Sequence, residues 1–281
     1  MAITNFQREV WAAELLQAFN QVNNFSSTSV CNRNYEGDVA GAKSVRITSV
    51  GRPTIAAFVE GSTTLTFESL TDAQRTLYCD QIKSFAFQVG DIAKAQSING
   101  GALMTEAARQ AGAGLAEDAD SYVQTIMEAD VASSYKHGAV SVTTSALAWA
   151  RLVQHKQDLD DAHIPQQERY TIVPSWFNSL LMLDTNYMTY DALSSGNRLE
   201  NGVVGRAIGF DILVGTYALS TGDDWYVYSG HPSAVTFANQ IDQVEALRPQ
   251  TAFSDALKGL HVYGAKVIRP TGITMTLCSK T

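Results

Sequence analysis

The chain has 281 residues, a net charge of −8 and an isoelectric point near 5.1, with 45% hydrophobic and 17% charged residues. This is globular composition with enough apolar material for a large core. It excludes phosphate-backbone binding as the main activity, since that requires clustered Lys and Arg, whereas Lys43, Arg46 and Arg52 are flanked by Glu36, Asp38 and Glu60. No window approaches the roughly eighteen apolar residues of a membrane span. The N-terminus lacks the unbroken apolar run of a secretory signal. Cys31, Cys79 and Cys278 are few, odd in number and far apart, which predicts reduced thiols and no disulfide framework. The expectation is a soluble chain made in cytoplasm.

Residues 5–19 read as a short amphipathic helix capped by Asn5, with Phe6, Val10, Trp11, Leu15 and Phe19 on one face. A polar stretch follows, so this helix has the character of an arm that docks elsewhere or of a helix packed on its own domain. Two strand-like runs come next, Ser44–Val50 and Gln74–Val89; in the second, Phe85, Phe87 and Val89 alternate with Ala86 and Gln88. The long connection between the runs is rich in Gly, Thr and Ser yet holds Ile55, Phe58, Leu65, Phe67 and Leu70. These are too few for a core and too apolar for a solvated linker. A hairpin that cannot bury its own apolar residues points to burial on another copy of the chain, and so to assembly.

Gly100–Val131 is the longest helical pattern, with Leu103, Ala107, Ala111, Leu115, Tyr122 and Ile126 as its expected buried stripe. Gly112 and Gly114 lie inside it at about 1 kcal/mol each relative to Ala, which predicts close approach by another backbone. By this reading Gly114→Leu overpacks the face. A spacer over 132–142 leads to a helix over Thr143–Asp160 capped by Thr143 or Thr144, then to a strand at Arg169–Val173. Pro174 suits the start of a helix running to Leu183. Further strands are predicted at Phe210–Gly215, Trp225–Ser229, Val235–Val244, Leu260–Ile268 and Ile273–Leu277, giving an α+β class.

Motifs for catalysis are sparse. The glycines of residues 112–118 lie inside a helix and lack the GK[ST] ending of a phosphate loop. The run Gly202–Gly209 reads as a turn entering the Phe210 strand. Asp158, Asp160, Asp161 and His163 are the residue types of a metal-dependent hydrolase, but they sit at a helix end before Pro165, where a solvated charged terminus is the plainer reading. No catalytic, cofactor or metal residue is assigned, and no enzyme activity is expected.

In order, these segments resemble a tailed-phage major capsid protein of the Hong Kong 97-type coat fold. NFQREVWAAELLQAF is similar to the family's N-terminal arm helix. RNYEGDVAGAKSVRITSVGRPTI and LTDAQRTLYCDQIKSFAFQVGDI resemble the rise and return of its extended loop. ERYTIVPSWFNSLLML, NGVVGRAIGFDILVG and GLHVYGAKVIRPTGI resemble its axial-domain passages and closing strands. The resemblance implies an N-terminal arm (1–34), an extended loop hairpin (35–92), a peripheral domain with a spine helix (93–140) and an axial domain (141–230). A returning peripheral strand (231–255) and C-terminal strands rejoining the axial domain (256–281) complete it.

The implied function is self-assembly, as pentamers and hexamers, into the icosahedral head shell of a bacteriophage. The shell encloses double-stranded DNA without sequence-specific binding or membrane contact. Portal, scaffolding and decoration proteins are the implied partners, with assembly in host cytoplasm. Because the chain starts almost at the arm helix, a separate scaffold, or none, is expected. The implied subunit interfaces are Arg46, Arg52, Ile55, Phe58, Glu60, Leu65, Phe67 and Glu68 on the loop and Phe6, Trp11 and Leu15 on the arm. Lys83 and Asn99 receive no cross-linking role. The competing readings are a cellular compartment shell of the same fold and, remotely, a hydrolase using Asp160, Asp161 and His163.

Overall fold

The computed structural model describes residues 24–39, 43–50, 53, 55, 57, 72–92, 102–184, 206–215, 220–221, 224–250 and 253–280. The helices are α1 (Glu36–Val39), α2 (Ala102–Asp130), α3 (Ser145–Asp161) and α4 (Ser175–Met182). The first strands are β1 (Ser44–Val50), β2 (Asp72–Tyr78), β3 (Gln81–Gly90), β4 (Lys136–Ser141), β5 (Tyr170–Val173) and β6 (Arg206–Ala207). The remainder are β7 (Phe210–Val214), β8 (Ser220–Thr221), β9 (Asp224–Gly230), β10 (Val235–Leu247), β11 (Ser254–Val267) and β12 (Ile273–Ser279).

They form three sheets. β1 and β2 make an antiparallel ribbon; β10, β11 and β3 make a second sheet; and the third has the order β4-β12-β9-β5-β7-β6, with β8 alongside β9. The 29-residue α2 lies on the second sheet, and Lys83 of β3 pairs with its Asp118 at 3.4 Å. Its buried face runs Met104, Ala108, Gly112, Leu115, Ala116, Ala119, Val123 and Met127. Small side chains along this face let the helix axis approach the strands closely. Alternation in β3 places Phe85, Phe87 and Val89 on one face, with Ile82, Ser84, Ala86 and Gln88 exposed on the other. Gly259 of β11 makes room for Phe85, since a Cβ there would lie 2.2 Å from the ring.

Thr144 caps α3, its hydroxyl accepting from Leu147 N at 3.4 Å, and Pro174 caps α4 with extended backbone geometry. α3 and α4 cover a core formed by Leu152, Val173, Phe177, Leu181, Ile212 and Val227. Ile208 (φ 53) and Gly209 (φ 87) form the turn from β6 into β7, the turn expected at Gly209.

Several expectations are corrected. The run Gln74–Val89 is two strands: it breaks at Cys79 and Asp80, where the chain leaves the ribbon and joins β11. The spacer after α2 contains β4, parallel to β12, because its partner lies far away in sequence. The buried stripe of α2 is centred about one residue further on than Ala107, Ala111, Tyr122 and Ile126, which are half-buried at its rim. Tyr122 sits there because its hydroxyl donates to Asp80 at 3.2 Å. Gly114 is exposed, and among the described residues nothing lies within 4 Å of a Cβ built on it, so none of them approaches it closely enough to be overpacked. A close backbone approach occurs at Gly264, where a Cβ would lie 2.0 Å from the Tyr78 carbonyl oxygen.

These two glycines behave oppositely on thermal denaturation. Gly264→Ala destabilises by about 1–3 kcal/mol or prevents folding, because backbone must move. Gly114→Ala stabilises by about 0.5–1 kcal/mol through helix propensity. A lower melting temperature for Gly114→Ala would show that the site is covered.

Candidate assembly surfaces

The ribbon pairs Ser44 with Tyr78 at its base and Val50 with Asp72 at the end of its ladder. Two strands alone are marginal in water, so stability comes from the base. There Val39, Ile47, Leu77 and Cys79 pack on Ala238 and Val262 of the second sheet. Arg75 donates to the Val267 carbonyl at 3.0 Å, and the Cys79 amide to the Lys43 carbonyl at 3.2 Å. Past the ladder, Pro53, Ile55 and Ala57 are exposed, Ile55 at 81% of its surface. Arg46 is exposed on β1. Of the residues expected at subunit contacts, Arg46 therefore lies on the ribbon and Ile55 five residues past the end of its ladder, both exposed. Arg52, Phe58, Glu60, Leu65, Phe67 and Glu68 of the loop, and Phe6, Trp11 and Leu15 of the arm helix, lie outside the described residues.

A second exposed apolar group was missed by the sequence reading. At the end of the three-stranded sheet Phe253 is 87% exposed, Ile92 73% and Leu247 39%. The tip is braced: the Asp91 amide donates to the Phe253 carbonyl at 3.0 Å, and Arg248 pairs with both Asp91 and Asp255. Arg248 thus bridges two carboxylates beside the exposed apolar side chains.

The carboxylates at the end of α3 are structural. Asp158 accepts from His137 Nε2 at 2.6 Å and from the Thr274 hydroxyl at 2.8 Å. Asp160 is held by Lys156 at 2.8 Å and by buried Arg169 at 2.8 Å, and these bonds keep its carboxyl below the usual range. Arg169 also donates to the carbonyls of Ile164 and Pro165, fixing the chain after the helix. Asp161 and His163 are exposed and do not converge with Asp160, and no metal-holding group of His, Cys, Asp and Glu occurs among the described residues. Deeper in the same seam, fully buried His155 bonds Ser229 Oγ at 2.8 Å and Thr276 Oγ1 at 2.7 Å. Burial, with help from nearby His137 and Arg151, lowers its pKa to about 3. The three cysteines are free and buried, and burial raises each thiol. Among the described residues, no helix is long and apolar enough to cross a membrane.

Residues 81–276 match the family model described as "Phage capsid protein". A solved structure from Mycobacterium phage Che8 is 29% identical, with a TM-score of 0.72 over 92% of this chain and 91% of that one. The capsid structure of cyanophage P-SCSP1u shares 17% identity and a TM-score of 0.68 over 85% and 84% of the two chains. A virus-like particle from Pyrococcus furiosus, at 12% identity and a TM-score of 0.59 over 96% and 99%, shares the fold. No curated protein matches.

The His155 geometry makes the subunit acid-labile. A histidine held neutral in the fold but free to charge when unfolded contributes its full stability above pH about 6.5. That contribution is lost as pH falls from there toward about 3. His155→Gln should flatten this part of the profile of urea midpoint against pH, and an unchanged slope would place the acid sensitivity elsewhere.

Proposed function

The chain belongs to the phage capsid protein family, and from that premise we infer how this coat protein builds its shell. It has the Hong Kong 97-type fold and is a structural virion component that assembles into a multimeric shell. The observation that carries the finer reading is the ribbon: an apolar residue 81% exposed beyond a two-stranded ladder. Such a feature is unfavourable on a lone subunit and useful as an intersubunit contact.

We assign Arg46, Arg52, Ile55, Phe58, Glu60, Leu65, Phe67 and Glu68 to contacts of the loop with a neighbouring subunit, and Phe6, Trp11 and Leu15 to contacts of the arm. The exposed cap of Phe253, Ile92 and Leu247 is a third contact. The arm covers 1–34, the loop 35–92, the peripheral domain 93–140 and the axial domain 141–230. Residues 231–255 return to the periphery, and 256–281 rejoin the axial domain. Sheet membership supports this division for most elements: α2 lies with β3 and β10, and the strands from β5 to β9 lie with β12, whereas β4 joins the sheet of β12 and β11 the sheet of β3 and β10, across the bounds at 140 and 256. β3 ties the loop's return into the peripheral sheet.

The subunits form pentamers and hexamers, with a portal protein as a partner. They assemble in host cytoplasm into a shell that encloses double-stranded DNA. A net charge of −8 suits a container that confines DNA without gripping it.

Electron microscopy of the recombinant chain after gradient sedimentation tests the reading; uniform shells or capsomer rings are expected. Deleting residues 54–70 should leave a folded subunit that makes no stable shell, and normal particles from that deletion would remove the loop assignment. Phe253→Asp should shift stability by no more than about 0.5 kcal/mol, as exposed substitutions do, yet raise the subunit concentration needed for assembly. An unchanged threshold would take the sheet tip out of the interface.

A further inference from the structure

Asp120 lies in the middle of α2 and is 2% exposed. Among the described residues, no Lys or Arg pairs with its carboxylate. It accepts instead from the chain at residues 24–26: Oδ2 from the Asn24 amide at 2.7 Å, and Oδ1 from the Ser26 amide at 2.9 Å and the Ser26 hydroxyl at 2.6 Å. A buried carboxylate without a cation costs stability unless several donors converge on it, and here all three come from one short segment. The same segment is held on its other sides. The Asn24 side-chain amide donates to the Val214 carbonyl at the end of β7, at 3.2 Å. Phe25 is buried edge-on against Tyr228 of β9, with ring centroids 5.7 Å apart. Further on, Asn32 exchanges backbone hydrogen bonds with β10 at Val235 and Phe237.

We propose that Asp120 is the positioning residue of the N-terminal arm: its carboxylate fixes the place and direction of the backbone at residues 24–26, and so presents the arm to a second copy. This rests on the assignment of the arm as an interface. Burial of Phe25 alone would hold this segment against the core without setting the orientation of its backbone. The pair of backbone amides at residues 24 and 26, gripped by the two oxygens of one side chain, additionally orients the peptide planes at the exit. An amide at position 120 keeps the shape but sets N–H donors against N–H donors at one of the two oxygens, freeing one end of the grip.

The test is a double-mutant cycle in the full-length chain. The threshold subunit concentration for shell formation is measured by sedimentation, well below every variant's melting temperature. Trp11→Ala weakens the arm contact and should raise the threshold several-fold. Asp120→Asn should raise it at least as far, and the double variant no further than Asp120→Asn alone, because a misdirected arm has no contact left to lose. Ser26→Ala, which removes only the hydroxyl bond, should give a smaller shift of the same kind, and it replaces Asp120→Asn in the cycle if that chain does not fold. Multiplying effects would mean that Asp120 merely stabilises the fold and would overturn the proposal. An unchanged threshold in both Asp120→Asn and Ser26→Ala, beside a raised one in Trp11→Ala, would overturn it while leaving the arm assignment standing. An unchanged threshold in Trp11→Ala would remove the arm assignment itself.

Discussion

One hydrophobic cluster holds this subunit together. Leu115, Ala116, Ala119, Val123 and Met127 of α2 meet Phe237, Tyr263, Ala265 and Val267 of the three-stranded sheet on one side. They meet Tyr170, Ile172, Tyr228 and Met275 of the larger sheet on the other, with Phe25, Val30 and Cys31 filling the remaining space. Neither sheet can slide or turn relative to the other without opening this core. Since interiors are packed at crystal-like density, such an opening is costly. The small residues of α2 serve this arrangement: a helix lined with Leu would stand off from the strands and separate the two sheets.

With the body held this way, the features that project from it are positioned by it. The ribbon is marginal by itself and stands because its base packs on Ala238 and Val262, with Gly264 letting the Tyr78 carbonyl cross at contact distance. The apolar tip of the three-stranded sheet is braced by Arg248 between Asp91 and Asp255. The braced tip presents its apolar surface on a fixed support, so little ordering entropy would remain to be lost in the proposed contact. A shell built from many copies depends on this, since each contact recurs throughout the particle.

Polar groups inside the fold are used for registry. His155, Ser229, Thr276 and Thr171 tie α3 to three strands of the larger sheet. Asp120 ties the chain entering the body to α2. Each such group is satisfied only in one relative placement of the elements it joins, so it specifies that placement more than it adds to total stability.

The sequence by itself determined the class of fold, the long helix, the strand positions within a few residues and the family resemblance. Those follow from local periodicity and from word order along the chain. It also pointed to the ribbon, because apolar residues stranded in a polar connection are visible without coordinates. Tertiary structure decided the rest. β4 exists because β12, more than a hundred residues away, offers it an edge. The run after Gln74 breaks at Cys79 because the ribbon and the sheet run in different places. The buried face of α2 is set by the two sheets it must touch, so bulky Tyr122 and Ile126 fall at its rim while small residues lie at its centre. Ile92 and Phe253, distant in the chain, share one exposed tip only because β3 and β11 are neighbours, and Asp120 becomes an anchor only where residues 24–26 cross the helix. Periodicity reports which residues share a face; which face meets which partner is fixed by long-range packing, and no local pattern carries that information.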